Sequence, residues 1–226
     1  NYSMTLQEFK IIFWWEWAHR FLGRVIGLTF ILPLIYFSYK LGFKKVLSLY
    51  SVFILVCAQG LIGWYMVSSG LVDRVDVSHY RLSIHLFMAF LILSSLVWYY
   101  LNRKNTLSKN FFINSSKLYS IKFFIFLIFL QIIIGAFVSG LDAGKIYQTW
   151  PLMNESYFPD DLNLNNYKEF LNFDDRSVVQ FAHRNVAYLI FLIIVYIGFN
   201  IRRLKKSNLY NSYYYLLLFI LIQLIL

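Results

Sequence analysis

The sequence predicts an all-α integral membrane protein, with six apolar helices belonging to a pseudo-symmetric pair of four-helix transmembrane bundles. Three observations carry that prediction. The 226 residues are 59% hydrophobic and only 14% charged, with a mean hydropathy of +0.58, a composition of multi-span chains and not of soluble domains. Six apolar runs approach the roughly 20 residues needed to cross a hydrocarbon core. Finally, short stretches of the first half of the chain return in the second.

Taken in order, helix A is expected from about Trp14 to Phe37, opened by Trp14, Trp15 and Trp17. Helix B spans about Val46 to Val67 and carries no charge. Helix C runs from Arg81 to Leu101, with His85 in its first turns. Helix D covers Ile121 to Leu141, helix E Val178 to Ile201, and helix F begins near Leu209. The chain starts at Asn1 without a methionine and stops inside "LLLFILIQLIL", so it reads as a fragment lacking one helix at each end. Residues 1–118 then form part of an N-terminal bundle (helices A to C), and residues 119–226 part of a C-terminal one (helices D to F).

The connecting loops divide by charge. Lys40, Lys44 and Lys45 lie between A and B. Arg103, Lys104, Lys109 and Lys117 lie between C and D, and Arg202, Arg203, Lys205 and Lys206 between E and F; no acid accompanies them. All 11 acidic residues lie on the other side, at Glu8, Glu16, Asp73, Asp76 and in the long D–E loop. The positive-inside rule puts the basic loops in the cytoplasm or matrix. Tyrosines and tryptophans at both helix ends, such as Trp64 and Tyr65 outside and Trp98 and Tyr99 inside, form two interfacial belts. The net charge of +10 is this topological signal and not a nucleic-acid footprint, which would gather on one soluble face. The single cysteine, Cys57, permits no disulfide framework and reads as a small core residue.

Glu16-Trp17-Ala18-His19-Arg20 of helix A returns as Gln180-Phe181-Ala182-His183-Arg184 of helix E. Helices B and D share Gln-x-x-Ile-Gly, starting at Gln59 and Gln131, followed by Val-Ser and Gly-Leu. The chain therefore looks assembled from related helix pairs.

Histidines 19, 85 and 183 stand near the outer ends of helices A, C and E. An ionisable side chain inside a membrane is costly and usually faces a bundle interior, and neutral imidazole is the commonest metal ligand, haem iron included. Each alone could be an interfacial polar residue; matched depth on alternate helices weighs against that. His79 reads as a solvated loop residue. A small residue follows each helical histidine by one turn, at Gly23, Ala89 and Ala187, room for a flat ligand on the same face. Gly23-x-x-x-Gly27 is equally a helix-packing motif. Arg20, Arg24, Arg81 and Arg184 flank the histidines; guanidinium groups suit the carboxylates of a porphyrin and also snorkel to interfaces. The spacing from His19 to His85 places the partner of His183 beyond Leu226.

Four blocks meet a known family at this point: residues 4–28, 63–86, 139–153 and 179–184, in that order and with this span pattern. The sequence resembles the heme A synthase family, in the alphaproteobacterial and mitochondrial form without an outer-loop cysteine pair. The resemblance implies eight transmembrane helices in two bundles and an oxidoreductase that converts haem O to haem A, oxidising a methyl substituent to a formyl group. It implies that His19 and His85 hold the substrate haem iron, and that His183 with a partner outside this chain holds a haem b. Arg20, Arg81 and Arg184 are the expected propionate contacts. Glu16 is the expected catalytic residue, either moving protons or stabilising positive charge on the reacting carbon. The expected partners are haem O, the lipid bilayer, an electron donor and the haem O synthase; self-association into a homo-oligomer is compatible with this set. The expected location is a bacterial inner membrane, with the mitochondrial inner membrane as alternative.

Two rivals are distinguishable. A b-type membrane cytochrome that only transfers electrons would share the histidines and give no reason for Glu16. A haem-free transporter would need polar residues at the midplane, where little stands beyond Gln59 and Gln131.

Overall fold

The structure is a computed structural model and describes residues 4–70, 77–104, 119–163, 166–205 and 209–225. Its helices are α1 (Leu6–Leu41), α2 (Phe43–Gly70), α3 (His79–Lys104), α4 (Tyr119–Gly140), α5 (Arg176–Arg203) and α6 (Tyr210–Ile225), with single 3₁₀ turns at Ala143–Lys145 and Glu169–Leu171. The described residues include no β-sheet. All but α6 are long and apolar enough to cross a membrane. Their flanks agree: Trp15 is 76% exposed, Leu61 67% and Phe199 66%, a surface suited to lipid and not to water. The protein is a multi-pass membrane protein.

The chain divides into two units, Asn1–Leu107 and Ser108–Leu226. In the first, α1 and α3 both pack on α2, and among the described residues their own backbones do not come close to one another. α1 starts at Leu6 and not at Trp14, because Thr5 and Glu8 form a capping box. The Glu8 amide donates to Thr5 Oγ1 at 3.3 Å, and the Thr5 amide donates to the Glu8 carboxylate at 2.8 Å. Glu16 and His19 therefore stand well inside the helix. At the other end, Gly42 adopts φ +87° and its N–H closes on Ser38 O at 3.0 Å, a left-handed stop that only glycine takes without cost. The sharp reversal sets α1 against α2, where Ser38 Oγ and Tyr50 Oη lie 2.9 Å apart and Phe30 stacks on Phe53. Arg103 ties the far end of α3 to the start of α2, donating to Lys45 O at 3.2 Å.

Two residues depart from the sequence expectation. His79 is 7% exposed and is the first residue of α3, its ring 4.1 Å from that of Tyr80; α3 begins before Arg81, so the histidine is on a packed first turn and not in solvent. Cys57 is exposed on α2, because a helix in lipid presents apolar residues outward as well as inward.

In the second unit α4 packs along α5, with Phe124 and Leu127 against Ile190, Ile194 and Ile197, and Ile134 and Phe137 against Val179. α6 leans on α5 through Tyr213, Leu217 and Ile220. The connection from α4 to α5 is ordered. Asp175 caps α5, accepting from the amides of Ser177 (2.8 Å) and Val178 (3.2 Å), and Tyr147 and Met153 bury their side chains, at 4% and 1% exposure.

Candidate functional site

In the first unit, His19 of α1 and His85 of α3 meet across the gap that α2 holds open. Their ring centroids are 6.4 Å apart and their planes cross at 71°. Glu16 lies one turn before His19 and pairs with Arg20 on the same face, both about half exposed. Arg81 lays its guanidinium 4.9 Å from the Tyr65 ring. A Cβ added at Gly23 or Gly27 would meet nothing within 4 Å. No described side chain or helix lies against either glycine.

His85 is held from behind by α2. The Gln59 amide donates to the His85 backbone carbonyl at 3.0 Å and stands 3.2 Å from ring Nε2. The ring lies so close over Gly63 that a Cβ there would come within 2.8 Å of His85 Cε1. The second unit repeats this arrangement. Gln131 of α4 donates to the His183 carbonyl at 3.1 Å, stands 3.2 Å from its Nε2, and Gly135 gives the ring its space, with 3.1 Å to Cε1. These two glutamines and two glycines had not been assigned to the site from sequence, although the shared Gln-x-x-x-Gly spacing was the signal.

Around His183 the structure adds a ring of loop contacts. Gln180, at the position matching Glu16 in the repeat, is 5% exposed and clasps Tyr147 through both backbone groups, at 3.2 Å and 2.8 Å. Arg184, matching Arg20, donates to the carbonyls of Tyr147 (2.8 Å), Thr149 (2.9 Å) and Leu152 (3.2 Å). Asp161 accepts from Tyr147 Oη at 2.8 Å and from Ser177 Oγ at 2.6 Å. Burial first, and then this bond, raise the Tyr147 phenol above its ordinary 10.0. Arg184 thus fastens the outer loop beside His183.

These residues fit a haem better than a bare metal ion. Among the described residues no group of three or more His, Cys, Asp or Glu could hold an ion, and a bare divalent site of the zinc type needs at least that many. Iron in a porphyrin needs only axial ligands from protein. With metal–imidazole bonds near 2 Å, two ligating rings have centroids roughly 6 Å apart, as His19 and His85 do. Nδ1 of both His85 and His183 is buried without a hydrogen-bond partner among the described residues.

A family model described as "Cytochrome oxidase assembly protein" (COX15-CtaA) matches residues 1–226. The chain belongs to this family. Among curated proteins it is 48% identical over 204 residues to a protein named Heme A synthase from Pelagibacter ubique, covering 88% of this chain and 59% of that one. To the Heme A synthase of Maricaulis maris it is 45% identical over 196 residues, 85% of this chain and 56% of the relative. To that of Rickettsia bellii it is 40% identical over 231 residues, 99% and 68%. The chain thus spans less than two thirds of the length of the first of these relatives. No solved structure matches it.

Proposed function

We propose that the chain forms part of a heme A synthase, an oxidoreductase of the bacterial inner membrane that converts the methyl substituent of haem O to a formyl group. The observation that carries this is the meeting of His19 and His85 across the gap between α1 and α3, at 6.4 Å between ring centroids. His19 and His85 bind the substrate haem there, with the open stripe at Gly23 and Gly27 giving room for its plate. His183 binds a haem b, together with a ligand from outside this chain, and that haem supplies a route for the electrons withdrawn from the substrate. Gln180, Arg184 and Asp161 hold the outer loop over that end of α5 and keep water from it.

Glu16 stands one turn from His19 and is turned toward the same face of α1 by Arg20. Oxidising a methyl group to a formyl group releases protons as well as electrons, and a carboxylate at that edge takes them up or balances the positive charge that precedes their loss. The names of the relatives support the reaction, and their bacterial sources support the location. A haem O synthase and a redox partner are the protein partners this chemistry requires, the latter an acceptor for the withdrawn electrons where water supplies the oxygen atom and an electron donor where molecular oxygen does.

The test uses the full-length protein in a host that makes haem O and no haem A. Haems extracted from its membranes are separated by chromatography. Haem A, or a hydroxylated intermediate, is the expected result. Only haems B and O, with bound haem evident in the spectrum, would reduce the protein to an electron carrier and overturn the reading.

A further inference from the structure

We propose that Gln59 and Gln131 are positioning residues that set the tautomer of His85 and His183, holding each ring neutral with its hydrogen on Nδ1 and its lone pair presented at Nε2. Carbonyl oxygens of His85 and His183 lie 3.0 Å and 3.1 Å from the glutamine Nε2. A carbonyl only accepts, so the amide must turn its NH₂ and not its oxygen to that side. The same NH₂ then faces ring Nε2 at 3.2 Å in both units. Its second hydrogen requires an acceptor, so ring Nε2 carries the lone pair and Nδ1 the hydrogen. Nδ1 of both rings and Oε1 of both glutamines are buried without partners among the described residues, so the amide is the one hydrogen-bonding contact there that acts on the tautomer. Gly63 and Gly135 bring each ring against the helix that carries the glutamine, with Cε1 within 2.8 Å and 3.1 Å of where a Cβ would stand.

The consequence is chemical. A metal takes a ring nitrogen that carries a lone pair, and its affinity depends on which nitrogen the surroundings leave unprotonated. The glutamine amide keeps the ring in the ligand-ready form and occupies the lone pair weakly enough for an iron to displace it. That the incoming metal is haem iron rests on the function proposed above; the tautomer does not. Occurrence of one geometry in two units, built by α2 with α3 and by α4 with α5, makes it a device of the helix pair and not an accident of one contact.

The experiment compares wild-type, Gln59→Glu and Gln59→Met in the full-length protein, prepared haem-free with ¹⁵N-labelled histidine. Substitution of His85 by asparagine identifies its resonances. Glutamate is isosteric but cannot donate, so it repels the carbonyl and draws the ring hydrogen to Nε2; methionine preserves bulk without hydrogen bonds. Expected are a ring protonated at Nδ1 in wild type and at Nε2, or charged, in Gln59→Glu. Titration with ferric protoporphyrin should show at least about a tenfold loss of affinity for Gln59→Glu, because its carboxylate keeps a hydrogen on the nitrogen that iron must take. The loss for Gln59→Met should be smaller. A wild-type ring protonated at Nε2, or a Gln59→Glu protein with unchanged ring shifts and affinity, overturns the proposal. Wild-type protein that takes up no porphyrin while its ring is protonated at Nδ1 overturns the haem reading and supports the tautomer.

Discussion

Gly63→Ala is the smallest change that should weaken the first site. Alanine is the better helix former by roughly 0.5–1 kcal/mol, so helix propensity alone argues for a more stable protein. The site argues otherwise. The new Cβ would stand 2.8 Å from His85 Cε1 and 3.4 Å from its Nδ1, whereas non-bonded carbons rest at about 3.5–4.0 Å. The ring must therefore retreat by roughly 0.7 Å or more. Gln59 cannot follow, because its amide is also held by the His85 carbonyl at 3.0 Å. The bond to Nε2 is given up in any case when iron takes that nitrogen, so binding feels only the displaced ring, whose turn off its rotamer costs about 0.5–1.5 kcal/mol. That is roughly a two- to tenfold loss in binding. The assay is a titration of the haem-free, full-length protein with ferric protoporphyrin, followed in its absorbance. Gly135→Ala should weaken the second site less, since its gap to His183 Cε1 is 3.1 Å. Gly63→Ala combined with Gln59→Met should lose less than the two changes separately, because both break one contact. Wild-type affinity in Gly63→Ala would refute the account of how α2 holds His85.

Further outcomes follow from the same contacts. Glu16→Gln should keep haem content near wild type and lower haem A formation about a hundredfold or more, the usual weight of a general acid–base group; full turnover with normal haem would remove Glu16 from the mechanism. Gly23→Ala, where nothing stands within 4 Å, should leave thermal unfolding unchanged or slightly improved and reduce haem uptake, and unchanged uptake would count against the open stripe as the ligand face. Gln180→Leu strands the backbone N–H of Tyr147, whose carbonyl keeps Arg184, at a cost of about 1–3 kcal/mol, so exchange of the Tyr147 amide should accelerate roughly fivefold or more. The pH response of this loop has a definite sign. The folded chain retains the Tyr147 proton, held above 10.0 by burial and then by Asp161, longer than an unfolded one does. The contribution is thus complete below about pH 10 and is lost as pH rises through the higher folded value. Tyr147→Phe should delete one late-titrating tyrosine from an alkaline absorbance titration, and an unchanged late phase would refute the assignment.

The membrane spans and the three helical histidines were legible in the sequence because each leaves a signal that burial in lipid cannot hide. An apolar run without charges has few alternatives to a span, and an imidazole in such a run demands a reason. What escaped depended on polar contacts between distant residues. The capping box at Thr5 and Glu8 was local, but the apolar run from Trp14 masked it and the start of α1 was set too late. Cys57 was misplaced for a different reason. A helix in lipid is apolar on all sides, so periodicity does not report which side faces the bundle. The outer loop has no periodicity at all, and its order comes from Gln180, Asp161 and Arg184 reaching back over long separations to Tyr147, Thr149 and Leu152.

Read by sequence, the repeat aligned α1 with α5 through Ala-His-Arg and α2 with α4 through Gln-x-x-Ile-Gly, two separate likenesses. The contacts join them differently. α3 stands to α2 as α5 stands to α4: in each pair the leading helix brings a glutamine and a glycine, and the following helix brings a histidine that lies on them. Sequence comparison could not see this, because α3 has no Ala-His-Arg and shares with α5 little beyond the histidine itself. The conserved quantity is a geometry, one amide and one missing side chain opposite one imidazole. Any arrangement of apolar residues around them will serve the bilayer equally well. The unit of construction is therefore the helix pair, each presenting one ligand, and the site of the first unit needs a histidine from one more helix, α1.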